Sequence, residues 1–188
     1  MTFLPTIYTN KEYAHVTQEE AQRIWYAAKT PVIRLFIKTL WYTGLRINEV
    51  LAVRFKDLQE VTGGYDLSIT REKKATKKVE QLPIPLDLGT ELRDFAKTKG
   101  LKPSEQLFPG HENTYRYQVR QCAKRAGLAN WQKVHPHLFR HGFVYQKVKD
   151  HVHPMVLTKL IGHSSMNTTL AYFSPTKEDL RLAMEKQG

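Results

Sequence analysis

Apolar residues along this chain fall into two rhythms, one of period near four and one of period two. The segment Thr17–Glu20 reads Thr-Gln-Glu-Glu, a capping box that opens a helix running through Ile24, Trp25 and Ala28. Pro31 suits the first position of a second helix, where its missing N–H costs nothing. Ile33, Phe36, Ile37, Leu40 and Trp41 then recur at helical spacing, and Gly44 ends the run. A short helix follows from about Ile47 to Val53. The rhythm changes at Tyr65, Leu67 and Ile69, which alternate with polar residues as a strand does. A basic turn, Arg71 to Lys78, and a second short strand leading to Leu82-Pro-Ile-Pro85 complete a predicted β-hairpin with a cationic tip. Helical spacing returns near 88–99, 113–126, 137–150, 154–161 and 176–186, and Gly127 follows one of these helices as a C-terminal cap glycine. The pattern predicts a mainly α domain with a small antiparallel β element (an α+β fold), preceded by a loose arm over residues 1–15.

At 188 residues and 41% hydrophobic content, the chain can bury one substantial core. Charge changes the picture more. Lys and Arg number 29 against 18 Asp and Glu, a formal net charge of +11. Such an excess points to a polyanionic partner, most simply nucleic acid, with a basic protein of unrelated role as the plain alternative. Apolar runs are too short to span a bilayer, and the N-terminus lacks a signal-peptide pattern. The single cysteine, Cys122, cannot form an internal disulfide, and its neighbours Val119 and Ala123 suggest helix packing.

Four local signals carry candidate chemistry: Thr43-Gly-Leu-Arg-Ile-Asn-Glu49, the lysine-rich hairpin, His137-Leu-Phe-Arg-His141, and Leu160-Ile-Gly-His163 with Tyr172 nine residues on. Singly, each has a plain explanation. Arg46 could pair with Glu49 three residues later. The lysines could be a solvated tip. His137 and His141, at i and i+4, could be a metal pair or a surface pair, and Tyr172 beside Phe173 could be core.

In this order and spacing the four resemble the tyrosine recombinases, the phage-type integrases and Xer-like chromosome recombinases. The resemblance covers about residues 16–186. Arg46 and Glu49 match the family's first box, His137 and Arg140 its second, with His141 in support, and His163 and Tyr172 its last. Phe139 and Ile161 each stand where leucine is usual. Counting back from Pro83, Lys74 fits the family's hairpin lysine best. The resemblance implies the fold of the family's catalytic domain over 16–172 and a helical tail over 173–188 that exchanges between protomers. Against the family pattern, the core-binding domain usually found upstream is expected to be absent.

The resemblance also implies a site-specific recombinase or integrase that cuts and rejoins double-stranded DNA through a 3′-phosphotyrosyl intermediate and a four-way junction. Tyr172 would be the nucleophile, with Arg46, Arg140 and His163 on the scissile phosphate. His137 would accept the tyrosine proton or orient the phosphate, and Lys74 would be the general acid. Those residue types suit the task. Guanidinium groups match phosphate geometry bidentately and stay charged. A tyrosine of ordinary pKa, about 10, is phenolate in only about one molecule in 10³ at neutral pH, so it needs activation. With arginines neutralising charge, neither metal nor ATP is needed. A homotetramer on DNA, a monomer when free, and a cytoplasmic setting in a bacterium, archaeon or phage-infected cell complete the expectation. Type IB topoisomerase-like relaxation and a DNA-binding protein without catalysis are the alternatives.

Lys73, Lys77, Arg116, Arg120, Lys124 and Arg125 are candidate phosphate contacts. His135-x-His137 and His151-x-His153 have a spacing compatible with zinc, but the chain has no cysteine cluster and prolines stand at 136 and 154. No metal site is expected.

Overall fold

The structure is a computed structural model that describes residues 15–73, 76–162 and 166–173, with positions 181 and 184. The side chains of 72, 73, 76 and 77 fall outside that description. The chain forms two compact units, one spanning His15–Phe143 and the other beginning at Val144.

In the first unit, α1 (Gln18–Tyr26) opens on the predicted capping box. The Thr17 side chain accepts from the Glu20 amide, and Glu20 accepts from the Thr17 amide at 2.9 Å. Next, α2 (Pro31–Thr43) starts on Pro31 and stops at Gly44, whose φ of 62° is the left-handed conformation that glycine adopts without steric cost. A Cβ at Gly44 would also stand 2.5 Å from the Phe143 ring. The short α3 (Ile47–Ala52) follows directly.

The sheet has three antiparallel strands, β1 (Leu58–Val61), β2 (Gly64–Lys73) and β3 (Thr76–Ile84), in the order β1-β2-β3. Tyr65, Leu67 and Ile69 are buried on one face of β2, and Leu82 and Ile84 face the same core from β3. Pro83, which cannot donate to a ladder, lies opposite Asp66 on β3, an edge strand that tolerates it. Within the sheet the structure differs from the sequence reading in two places. Strand β1 was not foreseen. The segment Arg71–Lys78 is mostly paired strand rather than turn, with Arg71 opposite Lys78 and Lys73 opposite Thr76.

Helix α4 (Leu86–Thr98) lies so close to the sheet that a Cβ on Gly89 would come within 2.1 Å of the Tyr65 ring. Helix α5 (Glu112–Arg125) packs against α1 and α2, with Phe36 between Tyr115 (4.3 Å between ring centroids) and Phe108 (5.6 Å). Cys122 is fully buried on α5, and burial pushes its thiol pKa up, as expected of a packing cysteine. Helix α6 (Pro136–Lys149) completes this unit and runs into the next.

The second unit contains α7 (Pro154–Ile161), α8 (Met166–Leu170) and a 3-10 turn at Ala171–Phe173. His153 caps α7 by accepting the Met155 amide at 3.2 Å, and Gly162 ends it in the left-handed region. Helix α8 and the turn were absent from the sequence reading. The predicted 176–186 helix and the arm over 1–14 lie outside the described residues, apart from helical positions 181 and 184.

Candidate active site

Arg46 is the N-cap residue of α3. Its amide donates to Glu49 Oε2 at 2.7 Å, and its Nη1 donates to Glu49 Oε1 at 3.1 Å. One carboxylate therefore starts the helix and holds the guanidinium. The plain reading of an Arg46–Glu49 pair and the catalytic reading are thus compatible: the pair is present, and the Arg46 side chain is still 49% exposed. Together they line a cleft of about 850 Å³, with Asn48, Arg54, Thr70, Glu112, Arg116 and His137 also on its wall.

Arg140, on α6, is only 3% exposed, and its Nη1 donates to the Gly44 carbonyl at 2.8 Å. The turn that ends α2 thus anchors the second arginine two residues before the first. One helical turn before Arg140, His137 reaches the cleft. Its pKa is lowered by partial burial, then by Arg140, His135, Arg46 and Arg116. A neutral imidazole among guanidinium groups can accept a proton. His141 packs edge-on against His137 at 4.6 Å between centroids. Its pKa is pushed down to about 4, by burial first and then by His137, Arg140, His135 and His15. Among the described residues no cluster of three or more His, Cys, Asp or Glu could hold a metal ion. His153 serves instead as a helix cap, and His151 adopts a φ of 57° just past α6.

In the second unit Tyr172 is half-buried at the centre of the 3-10 turn. Lys74 and His163 lie outside the described residues, as do the side chains of Lys73 and Lys77. The structure therefore brings Arg46, Glu49 and His137 onto one cleft and fixes Arg140 beside it through Gly44.

Helix α5 carries the other candidates. Arg116 lines the cleft and pairs with Glu112, Nε to Oε1 at 2.6 Å. Arg120 is exposed, and Lys124 lies over the Trp131 ring at 5.0 Å. Arg125 is engaged internally, donating to the Ala27 carbonyl at 2.9 Å and to Cys122 Sγ at 3.1 Å. Sequence reasoning missed Arg54 and Thr70 on the cleft wall, and also Arg71, which is buried on β2. For Arg71 a signal existed. It continues the inward parity of Tyr65, Leu67 and Ile69.

Comparison with known proteins places this arrangement. Residues 14–179 match the family model described as the phage integrase family. Tyrosine recombinase XerA of Saccharolobus solfataricus is 29% identical over 171 residues, 91% of this chain and 55% of the relative. XerA of Thermococcus onnurineus is 30% identical, over 81% of this chain and 54% of the relative. The chain thus spans about half the length of these curated relatives. Among solved structures, XerH site-specific recombinase bound to its difH substrate in a pre-cleavage complex superposes with a TM-score of 0.75 at 24% identity, over 96% of this chain and 56% of that one. The catalytic domain of bacteriophage HP1 integrase superposes at 0.66 and 20% identity, over 94% of this chain and 96% of that domain. At such identities the likeness establishes the fold, which is mostly helical with a small three-stranded sheet.

Proposed function

From the premise that the chain belongs to the phage integrase family, we propose that it is the catalytic part of a site-specific DNA recombinase. It cleaves and rejoins strands of double-stranded DNA through a 3′-phosphotyrosyl intermediate. The observation that carries this reading is the pair of fixed arginines. Arg46 is held by Glu49 on an open cleft, and Arg140 is held by the Gly44 carbonyl. Two preorganised guanidinium groups suit the charge that develops on a phosphate's non-bridging oxygens. Loss of one such donor costs about 10²–10³ in rate.

In this mechanism Tyr172 attacks the scissile phosphorus and forms the O–P bond as the bond to the 5′-oxygen breaks. The phenolic proton leaves to His137, whose low pKa keeps it an acceptor at neutral pH. Lys74 protonates the departing 5′-oxygen. His163 donates to the same phosphate. The phosphotyrosine conserves the energy of the broken bond, so a 5′-hydroxyl of a partner strand can reverse the step. Charge neutralisation by arginine makes the step independent of added metal or nucleotide. On DNA four copies act together, and the tail beyond Tyr172 docks on a neighbouring copy.

Nicked suicide duplexes with a randomised core, incubated in EDTA, test the reading. A covalent protein–DNA band on a denaturing gel, absent from Tyr172→Phe, is the expected result. A band that survives Tyr172→Phe would place the nucleophile elsewhere.

A further inference from the structure

Arg71 is a cation in a place where the fold has no need of one. It occupies the inward parity position after Tyr65, Leu67 and Ile69, and it is 2% exposed. An apolar residue there would serve stability as well, since buried ion pairs gain little over well-packed hydrophobes of similar volume. Its Nε pairs with Glu80 Oε2 across the hairpin at 2.9 Å. Burial lowers its pKa, and the Arg46 charge acts the same way, while the carboxylates of Glu49 and Glu80 both oppose the shift. Helix α3 packs against β2, and Thr70, the residue before Arg71, lines the same cleft as Arg46 and Glu49. The Glu49 side chain is only 9% exposed, although the Arg46 guanidinium that it binds is half in solvent. A carboxylate so little hydrated needs cationic support from the protein side, and Arg71 is placed to give it.

We infer that Arg71 is a positioning residue for Arg46: from the floor of β2 it holds the Glu49 carboxylate, and Glu49 in turn holds the first arginine toward the phosphate. It touches no substrate. Arg71 also stands three residues before Lys74 in the sequence, on the strand that leads toward that proposed general acid. This role rests on the recombinase reading for its catalytic meaning, but the holding of Arg46 does not.

The test separates the two. Arg71→Met alone would leave the Glu80 carboxylate with only the Lys78 ammonium at 3.5 Å, so the working variant is Arg71→Met/Glu80→Gln, which removes the Arg71–Glu80 pair neutrally. Glu80→Gln and Arg71→Lys are the controls. In full-length protein labelled with ¹⁵N, the Arg46 Nε–Hε signal is assigned by its loss in Arg46→Lys. It should keep its wild-type position in Glu80→Gln and Arg71→Lys, and move to the solvent-exposed arginine envelope in the double variant. An unmoved signal in the double variant overturns the proposal.

On the suicide duplexes selected by wild type, the double variant should form adduct about 10- to 100-fold more slowly at saturating DNA, with Kd for DNA within about threefold of wild type. Arg71→Lys should recover most of the rate. A double variant as fast as wild type denies Arg71 any catalytic consequence. If wild type gives no Tyr172-dependent adduct, the recombinase reading fails, and the Arg46 signal alone then judges whether Arg71 holds the first arginine.

Discussion

Protonating His141 works against this fold. Its ordinary pKa of about 6.5 in the unfolded chain falls to about 4 in the folded one. Between those values the unfolded chain binds a proton that the native state refuses, so stability rises with pH. The contribution is complete above about pH 6.5 and is lost as pH falls toward 4. It amounts to at most about 3–4 kcal/mol, since one unit is about 1.4. His137 is shifted in the same direction. Melting temperature should therefore drop between pH 7 and pH 4.5, and less steeply in His141→Gln. An equally steep drop in that variant would assign the acid sensitivity to another group. Burial first, and the neighbouring His137, Arg140 and His135 after it, make this position intolerant of one more proton.

At the level of elements, α4 depends on having no side chain at its contact with the sheet. Gly89→Ala would drive a methyl into Tyr65, a side chain locked in the core, so the helix or the strand must shift. Overpacking of this kind costs about 1–3 kcal/mol, which thermal or urea unfolding would read directly. Helices α1 to α7 were legible in the sequence, though α8 was not, because their stop and start signals are chemical: Thr17 with Glu20, Pro31, Gly44 and Gly127 each act within one turn. Strand β1 was not, because Leu58-Gln-Glu-Val61 offers four residues with no alternation, and its pairing with β2 is made by the fold. Charge hid the end of the hairpin. Arg71 to Lys78 reads as a polar turn by composition, while its parity with Ile69 says strand, and parity was the better guide. Arg46, His137 and Arg140 were legible as a set, and the structure brings the first two onto one cleft with Arg140 fixed beside it. The cleft itself was not legible, since Arg54, Thr70 and Glu112 come from elements whose meeting no local pattern records.

Across the whole molecule, a net charge of +11 attracts polyanions at long range, and on the recombinase reading proposed above it is not evenly useful. Arg120 is exposed on α5, whereas Arg125 donates its guanidinium hydrogens to Ala27 and Cys122. Arg120→Gln should therefore shallow the slope of log affinity against log salt by about 0.9, as loss of one phosphate contact requires. An unchanged slope would take Arg120 off the DNA surface. No described helix is long and apolar enough to cross a membrane.

Gly44 ends α2 with a backbone turn, leaves room for the Phe143 ring, and offers its carbonyl to Arg140. A side chain at this position fails first on the turn and the ring, and the displaced carbonyl then releases the arginine. The position therefore offers no graded series of substitutions. A lineage cannot trade a little stability there for a little freedom of Arg140, because the same atom group carries both. Adaptation to a new temperature has to be found at other residues.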